Sequence, residues 1–186
     1  LAVTGKVHPD RIITNSGLRT GDILVLTKAL GCGIIIGAKR LDITTDTQYQ
    51  TALDTMKQLN KKGAEIMQKY NISGATDVTG FGLMCHTSQN AQASEVTIRI
   101  YSEQIPVLPG AYDLADQGCL PCGIFKNQKF IEENNCHIND DIDFNHIMIA
   151  CDPQTSGGLL MGVRPENVDD AVADLKEAGY NSTEIV

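Results

Sequence analysis

The sequence predicts an α+β domain in which helices cover a single mixed sheet, a three-layer helix/sheet/helix arrangement, and three observations lead there. Asp22–Thr27 (DILVLT) is an almost unbroken apolar run, the pattern of a strand buried on both faces. Across Asp46–Tyr70, Tyr49, Leu53, Met56 and Leu59, then Ile66, Met67 and Tyr70, recur at three- and four-residue spacings, with Lys and Gln on the other face. Strand and helix patterns also mix without the strict alternation of a parallel α/β fold.

The elements follow in order. Ala2, Val3, Val7, Ile12 and Ile13 lie in an extended opening, and Asn15–Gly21 is turn-like. Gly31, Gly33 and Gly37 follow the first strand, and Gly63 is placed to divide the long helical stretch in two. Phe81–Ala93 is the next helix. Glu95–Tyr101 sets Val96, Ile98 and Ile100 against Thr97, Arg99 and Tyr101, the alternation of a half-buried strand. Pro109–Gly118 is a short helix with Pro in its first turn and Gly at its end. Phe144–Cys151 and Gly158–Val163 are two further strands. Arg164–Ala178 is an amphipathic helix, with Pro165 near its start and Gly179 just beyond its end. Ser182–Val186 is a last strand. The sheet is expected to contain Ile23–Thr27, Val96–Ile100, Phe144–Ala150 and Leu159–Val163.

Composition bounds the function. With 186 residues and 42% apolar content, the chain can build a core without a metal or a disulfide. Its 15 basic and 23 acidic residues give a net charge of −8, which repels phosphate backbones and excludes nucleic-acid binding through a basic footprint. An acidic protein that handles nucleotides needs divalent cations between its carboxylates and the phosphates. No apolar run approaches the ~18 residues of a membrane span, and no signal-peptide pattern opens the chain. The six cysteines therefore read as reduced thiols of a cytoplasmic protein.

Four segments can carry chemistry. In Ala75–Leu83 (ATDVTGFGL), Asp77 sits among hydroxyls and glycines just ahead of a helix, a setting for Mg²⁺ on the carboxylate and phosphate oxygens on backbone N–H groups. On local chemistry alone, the more economical role for Thr76 or Asp77 is to cap that helix. Cys151–Leu160 (CDPQTSGGLL) offers hydroxyl and amide donors to an anion, or is a polar turn. Leu30–Gly37 lacks the glycine spacing of a dinucleotide loop, and no P-loop motif occurs. Cys119, Cys122, Cys136 and His137 form an allowed zinc set, although the last two are adjacent and core thiols explain them as well. His86, on the helix after the Asp77 turn, and His146 read as packed or surface side chains.

Taken together, Leu26–Gly31 (LTKALG), ATDVTGFGL and CDPQTSGGLL, in this order, resemble selenophosphate synthetase, the selenide, water dikinase family. The opening LAVTGKVHPDRIITNSGLRTGD and Gly118–Asn127 (GCLPCGIFKN) are similar to it as well. The resemblance implies the C-terminal domain of the aminoimidazole ribonucleotide synthetase superfamily in residues 17–186. Residues 1–16 would then be the end of a preceding ATP-binding domain and its linker. It implies an ATP-dependent phosphotransferase, a kinase making selenophosphate, AMP and phosphate from ATP, selenide and water with Mg²⁺, cytoplasmic and homodimeric. Asp77 matches a metal-binding aspartate of the family, and Thr79 and Gly80 would line the phosphate path. No catalytic residue is expected in this chain, because the family's reactive Cys or selenocysteine, a Lys and further aspartates would lie upstream of Leu1. The fragment alone is therefore expected to be inactive. Ala29, Cys32, Cys85 and Cys122 depart from the family pattern, and because the family's catalytic Cys would lie upstream of Leu1, the resemblance gives that role to none of these thiols. Two other readings stay open: another ATP-dependent enzyme of the superfamily, and a non-catalytic module stabilised by zinc.

Overall fold

The computed structural model describes every residue except Leu1, Val3 and Asn135, so Val3 of the expected extended opening lies outside the described residues. Four strands, β1 (Ile23–Leu26), β2 (Ala75–Asp77), β3 (Leu159–Val163) and β4 (Glu184–Ile185), form one sheet in the order β2-β3-β1-β4. The register sets Val25 opposite Met161 and Leu26 opposite Leu160, so facing residues point to the same side of the sheet. Leu24, Leu26 and Leu160 enter one core with α1 (Cys32–Lys39), α4 (Gly82–Ser94), α5 (Ala111–Asp116), α6 (Cys122–Glu133) and α7 (Phe144–Ala150). Ala52 of α2 (Asp46–Lys57) joins the same core. Val25, Met161 and Val163 enter a second core with α3 (Lys61–Lys69) and α8 (Val168–Glu177). The expected three layers are present. Each fully buried Leu or Val in β1 and β3 contributes roughly 1.5–3 kcal/mol by leaving water.

All three ladders are antiparallel. Among the described residues, the parallel part of the expected mixed sheet is reduced to two isolated bridges, Thr14 beside Gly74 and Leu30 beside Val107. Two expected strands are not strands. Phe144–Ala150 is helix α7, because the Asp143 carboxylate caps it, accepting from the Asn145 and His146 N–H groups at 3.0 and 3.3 Å. Val96, Ile98 and Ile100 pack half-buried on the first core, but Val96–Ile100 joins no ladder among the described residues. Their alternation reports which side chains are inside, not which backbone is paired.

The long helical stretch does break, but at Gln58–Asn60 and not at Gly63. Its first half starts at a capping box, with Thr45 Oγ1 accepting the Gln48 N–H and Gln48 Oε1 accepting the Thr45 N–H. Gly63 lies inside α3, where its N–H donates to the Tyr180 hydroxyl at 3.0 Å. That N–H belongs to the first helical turn and has no partner within the helix. The Tyr180 hydroxyl in turn donates to the Leu59 carbonyl at 2.8 Å, so a side chain 117 residues away closes the start of α3. Helices α1 and α6 form where no apolar periodicity marks them, and β2, at three residues, is too short to show a pattern.

Tyr180→Phe removes both bonds and leaves the buried Gly63 N–H without its partner. The expected loss is about 1–3 kcal/mol, read from urea unfolding. An unchanged midpoint would show that neither bond matters.

Candidate functional site

The three segments singled out in the sequence meet at one end of the sheet. Asp77 is the last residue of β2, opposite Leu159 of β3. One residue on, the Val78 N–H donates to the Gly158 carbonyl at 2.8 Å, and the Gln154 N–H donates to the Thr79 carbonyl at 3.0 Å. A side chain at 157 would overlap the Val78 carbonyl oxygen, so this approach requires glycine there. From the first segment, Thr27 Oγ1 accepts the Leu159 N–H at 2.8 Å, and the Thr27 N–H donates to the Leu159 carbonyl at 3.0 Å. The Gly33 N–H donates to Asp152 Oδ2 at 2.8 Å. Gly157 and Gly158 are therefore packing glycines. Of the expected anion loop, only Thr155 and Ser156 are exposed.

Two buried side chains hold this junction that local patterns did not mark. Lys28, 2% exposed, donates through Nζ to the carbonyls of Thr55, Gln58 and Ser156 at 3.3, 2.7 and 2.9 Å. Its three N–H donors are thus matched by three carbonyls. Two of these lie at the end of α2, where the helix dipole favours a cation, and burial still lowers its pKa. Asn127 of α6, 5% exposed, donates through Nδ2 to the carbonyls of Gly80 and Cys151 at 3.1 and 2.9 Å. One amide thus ties the ATDVTGFGL turn to the CDPQTSGGLL loop. Nothing in the spacing shows this role, because the two carbonyls lie 47 and 24 residues from it.

The turn itself is exposed at Asp77 and Gly80, and half-buried at Thr79. Among the described residues the Asp77 carboxylate forms no ion pair. Helix α4 begins after Phe81, which caps it with no side-chain bond, so neither Thr76 nor Asp77 has the capping role that local chemistry favours. His86 Nε2 accepts the Thr79 N–H at 3.2 Å, which puts the neutral ring's proton on Nδ1. Burial lowers the His86 pKa, outweighing the nearby Asp77 charge. The Thr79 N–H and C=O are both taken inside the protein, leaving its hydroxyl, 3.3 Å from His86 Nε2, as the group it can offer. His86 is thus a packed residue with a definite task.

The fit to a metal is that of one shared ligand. Among the described residues, no three His, Cys, Asp or Glu side chains come together as a metal site. Asp77 could supply one carboxylate and Thr79 one hydroxyl oxygen. Cys119, Cys122, Cys136 and His137 are not gathered into a zinc site either, and all six cysteines are free. Burial pushes Cys32 and Cys151 up to about 12 and Cys85 up to about 11, so they are protonated thiols at neutral pH.

Fold and site define an α+β domain that presents one carboxylate turn beside a helix start. The family described as AIR synthase related protein, C-terminal domain, matches residues 19–185, and the chain belongs to that family. Curated relatives include the selenide, water dikinase of Porphyromonas gingivalis, 46% identical over 97% of this chain and 51% of its own length. That of Caldanaerobacter subterraneus is 40% identical over 91% of this chain and 49% of its own. The chain spans about half the length of these relatives. Among solved structures, the hydrogenase maturation protein HypE superposes with a TM-score of 0.65 at 16% identity, covering 98% of this chain and 48% of that one. The thiamine-monophosphate kinase of Stenotrophomonas maltophilia does so with a TM-score of 0.64 at 12% identity, covering 96% and 50%. These share the fold. Among the described residues no helix is long and apolar enough to cross a membrane.

Two outcomes follow from the site. In a brief alkylation pulse on the native protein, exposed Cys122 reacts first, while Cys32, Cys85, Cys119 and Cys151 react on unfolding; peptide mass spectrometry reads the order, and equal labelling of Cys32 and Cys122 would contradict it. Asn127→Asp sets a carboxylate against two carbonyl oxygens and costs of order 3 kcal/mol at pH 7. Part of that loss returns as the pH falls and the new acid is protonated, and melting curves at pH 5 and pH 7 compare the two.

Proposed function

We propose that this chain is the C-terminal half of a selenide, water dikinase, and that Asp77 holds Mg²⁺ on the phosphate oxygens of ATP. The observation that carries this reading is the unpaired, exposed carboxylate at the end of β2, at the point where three distant segments are hydrogen-bonded together. The similarity to curated relatives of that name supports it. So does a HypE structure in complex with ATP, which shares the fold at a TM-score of 0.62 and 16% identity. The family match that begins at residue 19 supports assigning residues 1–16 to the end of a preceding ATP-binding domain and its linker.

The phosphates and Asp77 repel one another until a divalent cation lies between them, and the bound cation neutralises charge on the transferring phosphoryl group. Asp77 would hold it from one side, with the Thr79 hydroxyl beside it, while Gly80 leaves room for a phosphate oxygen. A lone carboxylate binds Mg²⁺ weakly, since that ion keeps most of its waters unless several anionic ligands share it. The remaining ligands and the groups that attack ATP would come from the upstream half, so the 186 residues alone have no turnover.

The test is Asp77→Asn in the complete parent, with ATP turnover in the presence of selenide measured beside a melting curve. Asp77 is exposed and caps no helix, so stability should change by less than about 1 kcal/mol. Turnover should fall by several orders of magnitude, because several kcal/mol of transition-state stabilisation runs through the ligands of the metal. Normal turnover by the variant would remove Asp77 from the site.

A further inference from the structure

Two contacts between Thr79 and His86 decide what the Thr79 hydroxyl can offer. The Thr79 N–H donates to His86 Nε2 at 3.2 Å, and Thr79 Oγ1 lies 3.3 Å from the same nitrogen. A ring nitrogen that accepts an N–H carries no proton of its own, so Nε2 has nothing to donate to the hydroxyl. Lone pair against lone pair is repulsive. The contact is attractive only when the hydroxyl turns its proton toward Nε2, which leaves the oxygen's own lone pairs facing away from the ring.

The surroundings hold both partners in this arrangement. The Thr79 carbonyl accepts the Gly82 N–H at 2.9 Å and the Gln154 N–H at 3.0 Å, so the backbone of residue 79 is fixed on both sides. His86, 8% exposed in the second turn of α4, has the Phe81 ring against it, their centroids 5.8 Å apart. Among the described residues, Thr79 Oγ1 has no hydrogen-bond partner except His86 Nε2. The Asp77 carboxylate lies close enough for its charge to act on the same ring. A carboxylate and a hydroxyl oxygen whose proton is already committed thus stand beside one imidazole. Phosphate oxygens are acceptors and need a proton to meet them, whereas Mg²⁺ takes oxygen lone pairs.

We propose that His86 is a positioning residue: by accepting the Thr79 hydroxyl proton, it reserves that oxygen's lone pairs for the cation held by Asp77 and denies the hydroxyl to phosphate. The inference rests on the reading of Asp77 given above and adds to it the group that orients its neighbour. It divides the work of the turn. Asp77 and Thr79 serve the metal, and the phosphate oxygens are left to the backbone at Gly80. A side chain without an acceptor at position 86 lets the hydroxyl rotate, and its proton then competes for the place of the metal.

The experiment has two parts. In the metal-free 186-residue chain, ¹⁵N spectra of the imidazole should show His86 protonated at Nδ1 and bare at Nε2; a proton on Nε2 overturns the proposal. In the complete parent, Mn²⁺ binding in the presence of a non-hydrolysable ATP analogue is followed by electron paramagnetic resonance. Thr79→Val and His86→Leu should each weaken Mn²⁺ binding roughly ten- to a hundredfold, the usual cost of losing a group that orients a metal ligand. His86→Gln, which keeps an acceptor near the Nε2 position, should recover most of that loss. The double variant Thr79→Val/His86→Leu should bind no more weakly than Thr79→Val alone, whereas a merely structural role for His86 makes the two losses add. Additive losses, normal binding by His86→Leu, or weakened binding by a folded His86→Gln would each overturn the proposal while Asp77→Asn still loses the metal. If Asp77→Asn binds Mn²⁺ normally, the reading of Asp77 fails and this inference falls with it.

Discussion

The Val78 carbonyl oxygen occupies the space that any side chain at position 157 would need, and the rest of the site depends on that contact. Because residue 157 is glycine, the loop after Cys151 can lie flat against the end of β2, and Gly158 can accept the Val78 N–H. β3 then leaves this loop in register with both β1 and β2. Asp77 is exposed by consequence: it is the last paired residue of an edge strand, and the residues that follow are fastened from behind. A carboxylate held this way loses little entropy when it takes a ligand.

Buried polar groups do much of the fastening, and each works by satisfying backbone atoms. Lys28 meets three carbonyls, Asn127 meets two, and Asp152 meets the first turn of α1. Such groups are costly to bury unless their bonds are made. They therefore favour the one arrangement in which loop, turn and helices come together, and they couple stability to the geometry of the site.

What could be read in the sequence follows from how local each signal is. β1 and β3 announce themselves as apolar runs, and α4 and α8 as bounded helical stretches, because those patterns need only a few neighbouring residues. α7 looked like a strand because seven residues of apolar character do not distinguish the two, and the deciding feature was the Asp143 cap. α1 carries Gly33 and Gly37, poor helix formers, and Gly33 is there because the Asp152 carboxylate lies over its Cα. Asp77, Thr79 and Gly80 are candidates that the resemblance of their motif to a known family supplies. Lys28 and Asn127 could not be given roles, nor could the hold of Asp152 on Gly33, because those partners lie 24 to 128 residues away. The distant Tyr180 cap on α3 was hidden for the same reason.

The central claim is that the Asp77 turn is rigid before any ligand arrives. The most direct measurement is ¹⁵N relaxation of Val78 and Thr79 in the free chain, compared with Val25 and Met161 at the centre of the sheet. If the turn is fastened as described, the order parameters of all four amides will lie together at about 0.85, the value of rigid backbone. Values below about 0.6 at Val78 and Thr79, with the sheet still rigid, would contradict it.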